Sequence, residues 1–282
     1  MTRTRNAAAA PAMPSAPAMP SALRLGLARG VLETKLFFRE KDAVVFTFAF
    51  PIVLLVLFGA IFSGEIGGGI TITQLYVAGF IGAGVLAAGF QNLGIGIAAD
   101  RERGTLKRLA GTPMPRSAYF IGKVINVLVV AILETAALLA IGVAWYGIEP
   151  PREAARWAAF AWIFVLGVTA STLLGIAVSS VPRSAQSAAA VITLPSIVLQ
   201  FISGVFIPIG QLPEWLTGIA AVFPLKWMCQ GFRWVFLGDA GAALEPAGTY
   251  ELDRVALVLG AWIIGGLVLC LTTFRWQRRG EG

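Results

Sequence analysis

The chain has 282 residues, of which 57% are hydrophobic and 13% charged, where ordinary soluble domains carry roughly 25% charged residues. At about 20 apolar residues per crossing there is room for roughly six to eight membrane helices, and no room for a large soluble catalytic domain. Two cysteines, no histidine and a net charge of +7 exclude a disulfide framework, a zinc cluster and every imidazole mechanism, so the sequence assigns no catalytic residue and no metal site.

Residues 1–22, MTRTRNAAAAPAMPSAPAMPSA, form a Pro/Ala-rich stretch that buries too little side chain to offset the entropy of ordering, and a disordered tail is expected. Over 23–41 the segment places Leu25, Ala28, Leu32 and Leu36 at helical spacing among Arg24, Arg29, Glu33 and Arg39. That pattern predicts a helix at the cytoplasmic interface, with a short charged linker as the alternative. Six apolar stretches follow at about 43–62, 75–98, 118–145, 157–181, 187–208 and 255–274, each long enough to span a bilayer. The second is rich in small residues, with pairs such as Ala83/Ala87 and Gly84/Ala88 that allow close helix approach, and it is expected inside the bundle. The segment from Ser203 to Arg254 is long and apolar but broken by Pro208, Pro213 and Pro224. Short helices dipping into or lying on the outer leaflet are expected there, an extra pair of spans being the alternative.

The resulting organisation is a tail over 1–22, an interfacial helix over 23–41, a six-span domain over 42–276 and a basic end over 277–282. Placing the N-terminus inside puts sixteen of the twenty-two lysines and arginines on the inner side and eight of the fifteen acids outside, which is the positive-inside bias. Both termini are therefore expected in the cytoplasm. The positive charge is accounted for by topology, so nucleic acid is not an expected partner.

Few polar residues lie within the spans. Glu134 is the only carboxylate well inside one, near the middle of the third, and at that depth it should face the bundle interior or a watery cavity. It is a candidate for the translocation pathway, or else a hydrogen-bonded structural group. Gln91, Asn92 and Gln200 are the polar neighbours expected to meet it, or else interhelical glue. No GxxxxGK[ST] motif occurs, so this chain has no P-loop of its own.

The inner segment after the second span runs Glu102, Arg103, Gly104, Thr105, Leu106, Lys107, Arg108 and Leu109, followed by Thr112-Pro113, with Tyr119 and Gly122-Lys123 opening the next helix. Together with six spans, this resembles the membrane subunits of type-2 ABC transporters. The outer stretch SGVFIPIGQLPEWL with FPLKWMCQGFRWVFLG is similar to the daunorubicin- and multidrug-resistance branch of that family. The likeness runs over about residues 25–275, and the Pro/Ala tail falls outside it.

The resemblance implies an all-α membrane protein with six transmembrane helices, an N-terminal interfacial helix and short outer-leaflet helices between spans five and six. It implies a permease subunit in the plasma membrane, itself no enzyme, that exports a hydrophobic or amphipathic small molecule, drug or lipid-like. Glycolipid or polysaccharide export is the alternative. Residues Glu102 to Arg108 would couple to a separate ABC ATP-binding subunit, or else hold topology against anionic lipid. A second permease subunit, identical or not, would complete the path through the bilayer. The chain would bind no cofactor, ATP and Mg belonging to the partner subunit. Phe, Leu and Met on the second and fifth spans are expected to wall the path. A membrane-embedded lipid-modifying enzyme would need clustered polar groups, and a secondary transporter several intramembrane charges; the sequence offers neither.

Overall fold

The computed structural model describes residues 21–62, 64–67 and 69–274. Most of the 1–22 tail, and Arg275, Arg278 and Arg279 of the basic end, lie outside the described residues. Eleven α-helices order the described chain: α1 Ala22–Arg39, α2 Lys41–Ile61, α3 Ile72–Leu86, α4 Leu93–Glu102, α5 Thr105–Ala110, α6 Arg116–Tyr146, α7 Ala154–Val178, α8 Ala185–Ile202, α9 Glu214–Ala220, α10 Pro224–Leu237 and α11 Leu252–Thr273. A two-stranded hairpin, β1 Glu65–Gly67 and β2 Ile70–Thr71, links α2 to α3.

Among the described residues, six helices are long and apolar enough to cross a membrane: α2, the continuous Ile72–Glu102 unit, α6, α7, α8 and α11. The second unit is unbroken because a π-helical turn at Ala87–Asn92 joins α3 to α4. It starts from a capping box in which Thr71 and Gln74 satisfy each other's backbone N–H. This unit is the core of the bundle, as its small residues predict, and they are used in close approaches that a side chain would block. A Cβ at Gly82 would stand 2.8 Å from Cys229 Sγ of α10, and one at Gly89 would stand 2.8 Å from the Thr172 nitrogen of α7. Because lipid tails are as apolar as leucine, such backbone-to-backbone packing, rather than burial from water, holds membrane helices together.

Two features were not given by the sequence expectation. The fifth span ends at Ile202 rather than near 208, because Gly204 adopts φ +84° and the Val205 N–H bonds back to the Gln200 carbonyl, a left-handed helix stop. The helix over 22–39 forms, but its buried face is Gly26, Gly30 and Glu33, while Leu32 and Leu36 point outward. It runs parallel to α6: a Cβ at Gly26 would meet Ile121 at 2.6 Å and one at Gly30 would meet Ile125 at 2.8 Å. Glycines therefore set which face docks, and the leucine stripe is left for other surroundings.

The Ser203–Arg254 segment holds the short helices α9 and α10 and no extra span. With 14 residues, α10 is about 21 Å long, too short to cross. It penetrates the bundle nonetheless. All its residues except Trp234 are buried, and it lies against α3 through Cys229 and against α7 through Met228 and Gly231.

Candidate functional site: a membrane cavity and a charged hub

A cavity of about 610 Å³ opens between α2, α3, α6 and α8. Six phenylalanines form much of its wall: Phe46, Phe50 and Phe58 from α2, Phe80 from α3, Phe201 from α8 and Phe206 from the turn after it. At its centre the rings interlock, with Phe58 to Phe80 at 6.2 Å, Phe80 to Phe206 at 6.1 Å and Phe201 to Phe206 at 4.9 Å. The polar residues on the wall are Thr47, Gln91, Asn92, Glu134, Thr193 and Gln200. All four candidate pathway residues, Gln91, Asn92, Glu134 and Gln200, therefore line one space. The first span contributes more to the wall than the sequence reading allowed, since its mixed Phe pattern carries no polar mark to set it apart from a lipid-facing helix.

Glu134 is 2% exposed, and its Oε2 is buried with no hydrogen-bond partner. Room for the carboxylate comes from Gly84 on α3, where a Cβ would stand 2.6 Å from Glu134 Oε1. Asn92 reaches Thr47 Oγ1 at 3.5 Å, at the long limit of a hydrogen bond.

A second cluster lies at the end of the bundle that carries α5. Lys123 Nζ of α6 stands 2.8 Å from Glu33 of α1 and 2.8 Å from Asp100 of α4. Arg29 pairs with Glu33 at 2.6 Å, and the Tyr119 hydroxyl donates to Asp100 at 3.0 Å. The three central side chains are each no more than 10% exposed. Buried charge persists only when paired in this way, so three helices are fixed to one ammonium group. Sequence reasoning missed this hub as a unit. Its signal was Lys123 itself, a charge within the third span that requires a carboxylate from elsewhere.

The charged segment Glu102 to Arg108 is anchored on the hub. Gly104 has φ +70° with open space around it, so it serves as the turn between α4 and α5, a conformation that other residues adopt at a cost. Leu106 is fully buried, while Glu102, Arg103, Lys107 and Arg108 are exposed and Thr105 is half-buried. Glu102 is nevertheless engaged, since its Oε2 accepts the Ala185 N–H at 2.7 Å and so caps the start of α8. Arg101 donates to the Ser179 carbonyl at the end of α7. The segment is thus tied to α1, α6, α7 and α8 together.

At the opposite end, Arg233 of α10 forms a fully buried bidentate pair with Glu245, Gln230 donates to the Tyr250 carbonyl at 2.7 Å, and the Tyr250 hydroxyl donates to the Gly238 carbonyl at 2.9 Å. This clasp holds α10 in the bundle. Sequence reasoning missed the Arg233–Glu245 pair, because a pairing across a long loop leaves no spacing signal.

A six-helix bundle with a buried short helix and a charged turn between its second and third spans is the build of a polytopic membrane protein. The ABC-2 type transporter family matches residues 29–237, and the chain belongs to that family as a permease chain. Among its relatives, the probable multidrug ABC transporter permease YbhR of Escherichia coli K12 is 29% identical over 167 residues, 59% of this chain and 45% of its own length. The chain thus spans about half the length of YbhR. The inner membrane transport permease YadH of the same strain is 26% identical over 75% of this chain and 84% of its own. The putative transport permease ycf38 of Porphyra purpurea is 26% identical over 77% of this chain and 79% of its own.

Proposed function

We propose that the chain is the membrane-spanning subunit of an ATP-driven exporter that moves a hydrophobic or amphipathic small molecule, drug or lipid-like, out of the cell. The observation that carries this reading is the 610 Å³ cavity with its phenylalanine wall, a size and lining that suit a ligand of drug-like dimensions. A polysaccharide needs many polar contacts along an extended path, which this wall does not offer. The designation of YbhR as a probable multidrug permease agrees with an apolar cargo.

Two copies of the chain, or this chain and a similar one, complete the path. The cavity opens beside outward-facing residues of α2 and α8, including Phe46 and Leu194, and Asn92 is exposed on the same side. An amide facing lipid hydrocarbon is costly, and a partner bundle laid over α2 and α8 removes that cost. Two copies of a separate ATP-binding subunit, which hold ATP and Mg, dock on α5 and the adjoining turn. The exposed Arg103, Lys107 and Arg108 offer the contact, and Leu106 and the Lys123 hub transmit it. Closure of the ATPase pair then reaches α1, α4, α6 and α8 as a rigid-body displacement. With the α5 end in the cytoplasm, the start of α1 and the end of α11 both lie on the cytoplasmic side of the plasma membrane.

The test is uptake of a lipophilic dye into inside-out vesicles bearing the chain with a cognate ATP-binding subunit. Uptake is expected to require ATP and to vanish when the subunit's Walker lysine is replaced. Pumping or lipid chemistry by the permease alone would overturn the reading.

A further inference from the structure

Glu134 breaks the rule that buried polar groups find a partner. A structural glutamate in a membrane bundle is held by a neighbour's hydroxyl, amide or charge. Glu134 is 2% exposed, its Oε2 has no hydrogen-bond partner, and among the described residues that line the cavity it is the only ionisable one. Lys123 lies eleven residues away on the same helix, about 16 Å along its axis, and is already shared between Glu33 and Asp100. The partner of this carboxyl group is therefore not found in the described chain, and the cavity is where such a partner can enter.

The surroundings select its chemistry. Gly84, which makes room for the carboxylate, is one helical turn from Phe80 on α3, about 6 Å along the axis. Phe80 is in turn clustered with Phe58 and Phe206. A carboxyl group that lines one cavity together with several aromatic rings suits a basic nitrogen, because the carboxylate pairs with the ammonium and ring faces attract the same positive charge. The remaining wall takes an apolar body. An anionic molecule meets the reverse, since no cation lines this space.

We propose that the cavity binds amphiphiles that carry one basic nitrogen, with that nitrogen paired to Glu134 and the apolar body among Phe58, Phe80 and Phe206. This rests on reading the cavity as the cargo's path. The proton balance is closed: a neutral amine meeting the protonated acid and an ammonium meeting the carboxylate give the same pair, so no outside proton donor is required.

The experiment uses the full chain in nanodiscs and two fluorescent probes, a dansyl-tagged decylamine and its N-acetylated counterpart. Binding is read by fluorescence titration and corrected against empty nanodiscs. The amine probe is expected to bind about ten-fold more tightly than the acetylated one, the scale of one charge-assisted contact. Glu134→Gln is expected to remove that preference by weakening the amine alone, and unchanged binding of the acetylated probe reports that the cavity is intact. Glu134→Asp, which keeps a carboxyl group, should retain part of the preference. If Glu134→Gln gives no monodisperse protein, the wild-type ratio and Glu134→Asp decide. Equal binding of both probes to the wild type, or a preference that survives in Glu134→Gln, overturns the assignment. Failure of both probes to bind overturns it as well, together with the cavity as cargo path. ATP-dependent dye uptake by the assembled complex reads the exporter function separately, so the two can fail independently.

Discussion

Replacing Lys123 with methionine removes the one charge that the hub shares between α1 and α4. Glu33 and Asp100 each stand 2.8 Å from its Nζ, so their oxygens are no more than about twice that distance apart. At an effective dielectric of about 20, two such anions repel by about 3 kcal/mol once the ammonium is gone. Glu33 keeps Arg29 at 2.6 Å, and Asp100 keeps the Tyr119 hydroxyl and a 3.5 Å contact to Arg103, whose own side chain is 62% exposed. The loss should therefore fall near the lower end of the 3–5 kcal/mol typical of a broken buried pair, about 3 kcal/mol. At roughly 2–4 °C per kcal/mol for a protein of comparable size, the midpoint should drop by roughly 6–12 °C. The assay is thermal challenge of the purified chain followed by fluorescence-detected size exclusion. The control is Arg152→Met, which removes an ion pair whose side chains are 85% and 75% exposed and should leave the midpoint in place. Lys123→Met combined with Asp100→Asn should recover most of the loss. A single variant no worse than the control, or a double variant as unstable as the single, would refute the claim that this lysine rivets the helices together.

Two further outcomes follow from the same geometry. Arg233→Met leaves Glu245 buried and unpaired and should cost about 3–5 kcal/mol, read in the same thermal assay, whereas Arg233→Met with Glu245→Leu should restore most of it. Glu102→Ala removes the carboxylate that caps α8 and should leave the yield of folded protein unchanged while lowering transport per ATP hydrolysed, measured in the assembled complex; unchanged coupling would count against a route through α8.

Helix positions were legible because span length and the absence of charge are local properties of the sequence. The six expected stretches coincide with α2, the Ile72–Glu102 unit, α6, α7, α8 and α11 to within a few residues at most ends. The fifth is the exception, since an apolar run from 203 to 208 reads as more helix until the conformation of Gly204 is known. Faces were harder. On α1 the sequence pattern gave an interfacial helix but not the face that docks, which two glycines set, because close approach to Ile121 and Ile125 depends on what α6 presents. The candidate residues Gln91, Asn92, Glu134 and Gln200 were found by polarity alone, and the structure puts them on one wall. The partners Glu33, Asp100 and Lys123 come from three helices and can be joined only in three dimensions.

The deep seating of α10 limits how the protein can move. Held by Arg233 and Glu245 on one side and wedged against Cys229 and Met228 contacts on the other, this helix acts as a keystone for the half of the bundle opposite α5. Any opening toward that side that swung α10 aside would tear a doubly bonded ion pair out of a dry environment. The cheaper hinge is across the cavity mouth, where α2 and α8 face each other with few polar ties. On the function proposed above, cargo is expected to leave along the cavity mouth between α2 and α8 while α10 keeps its place.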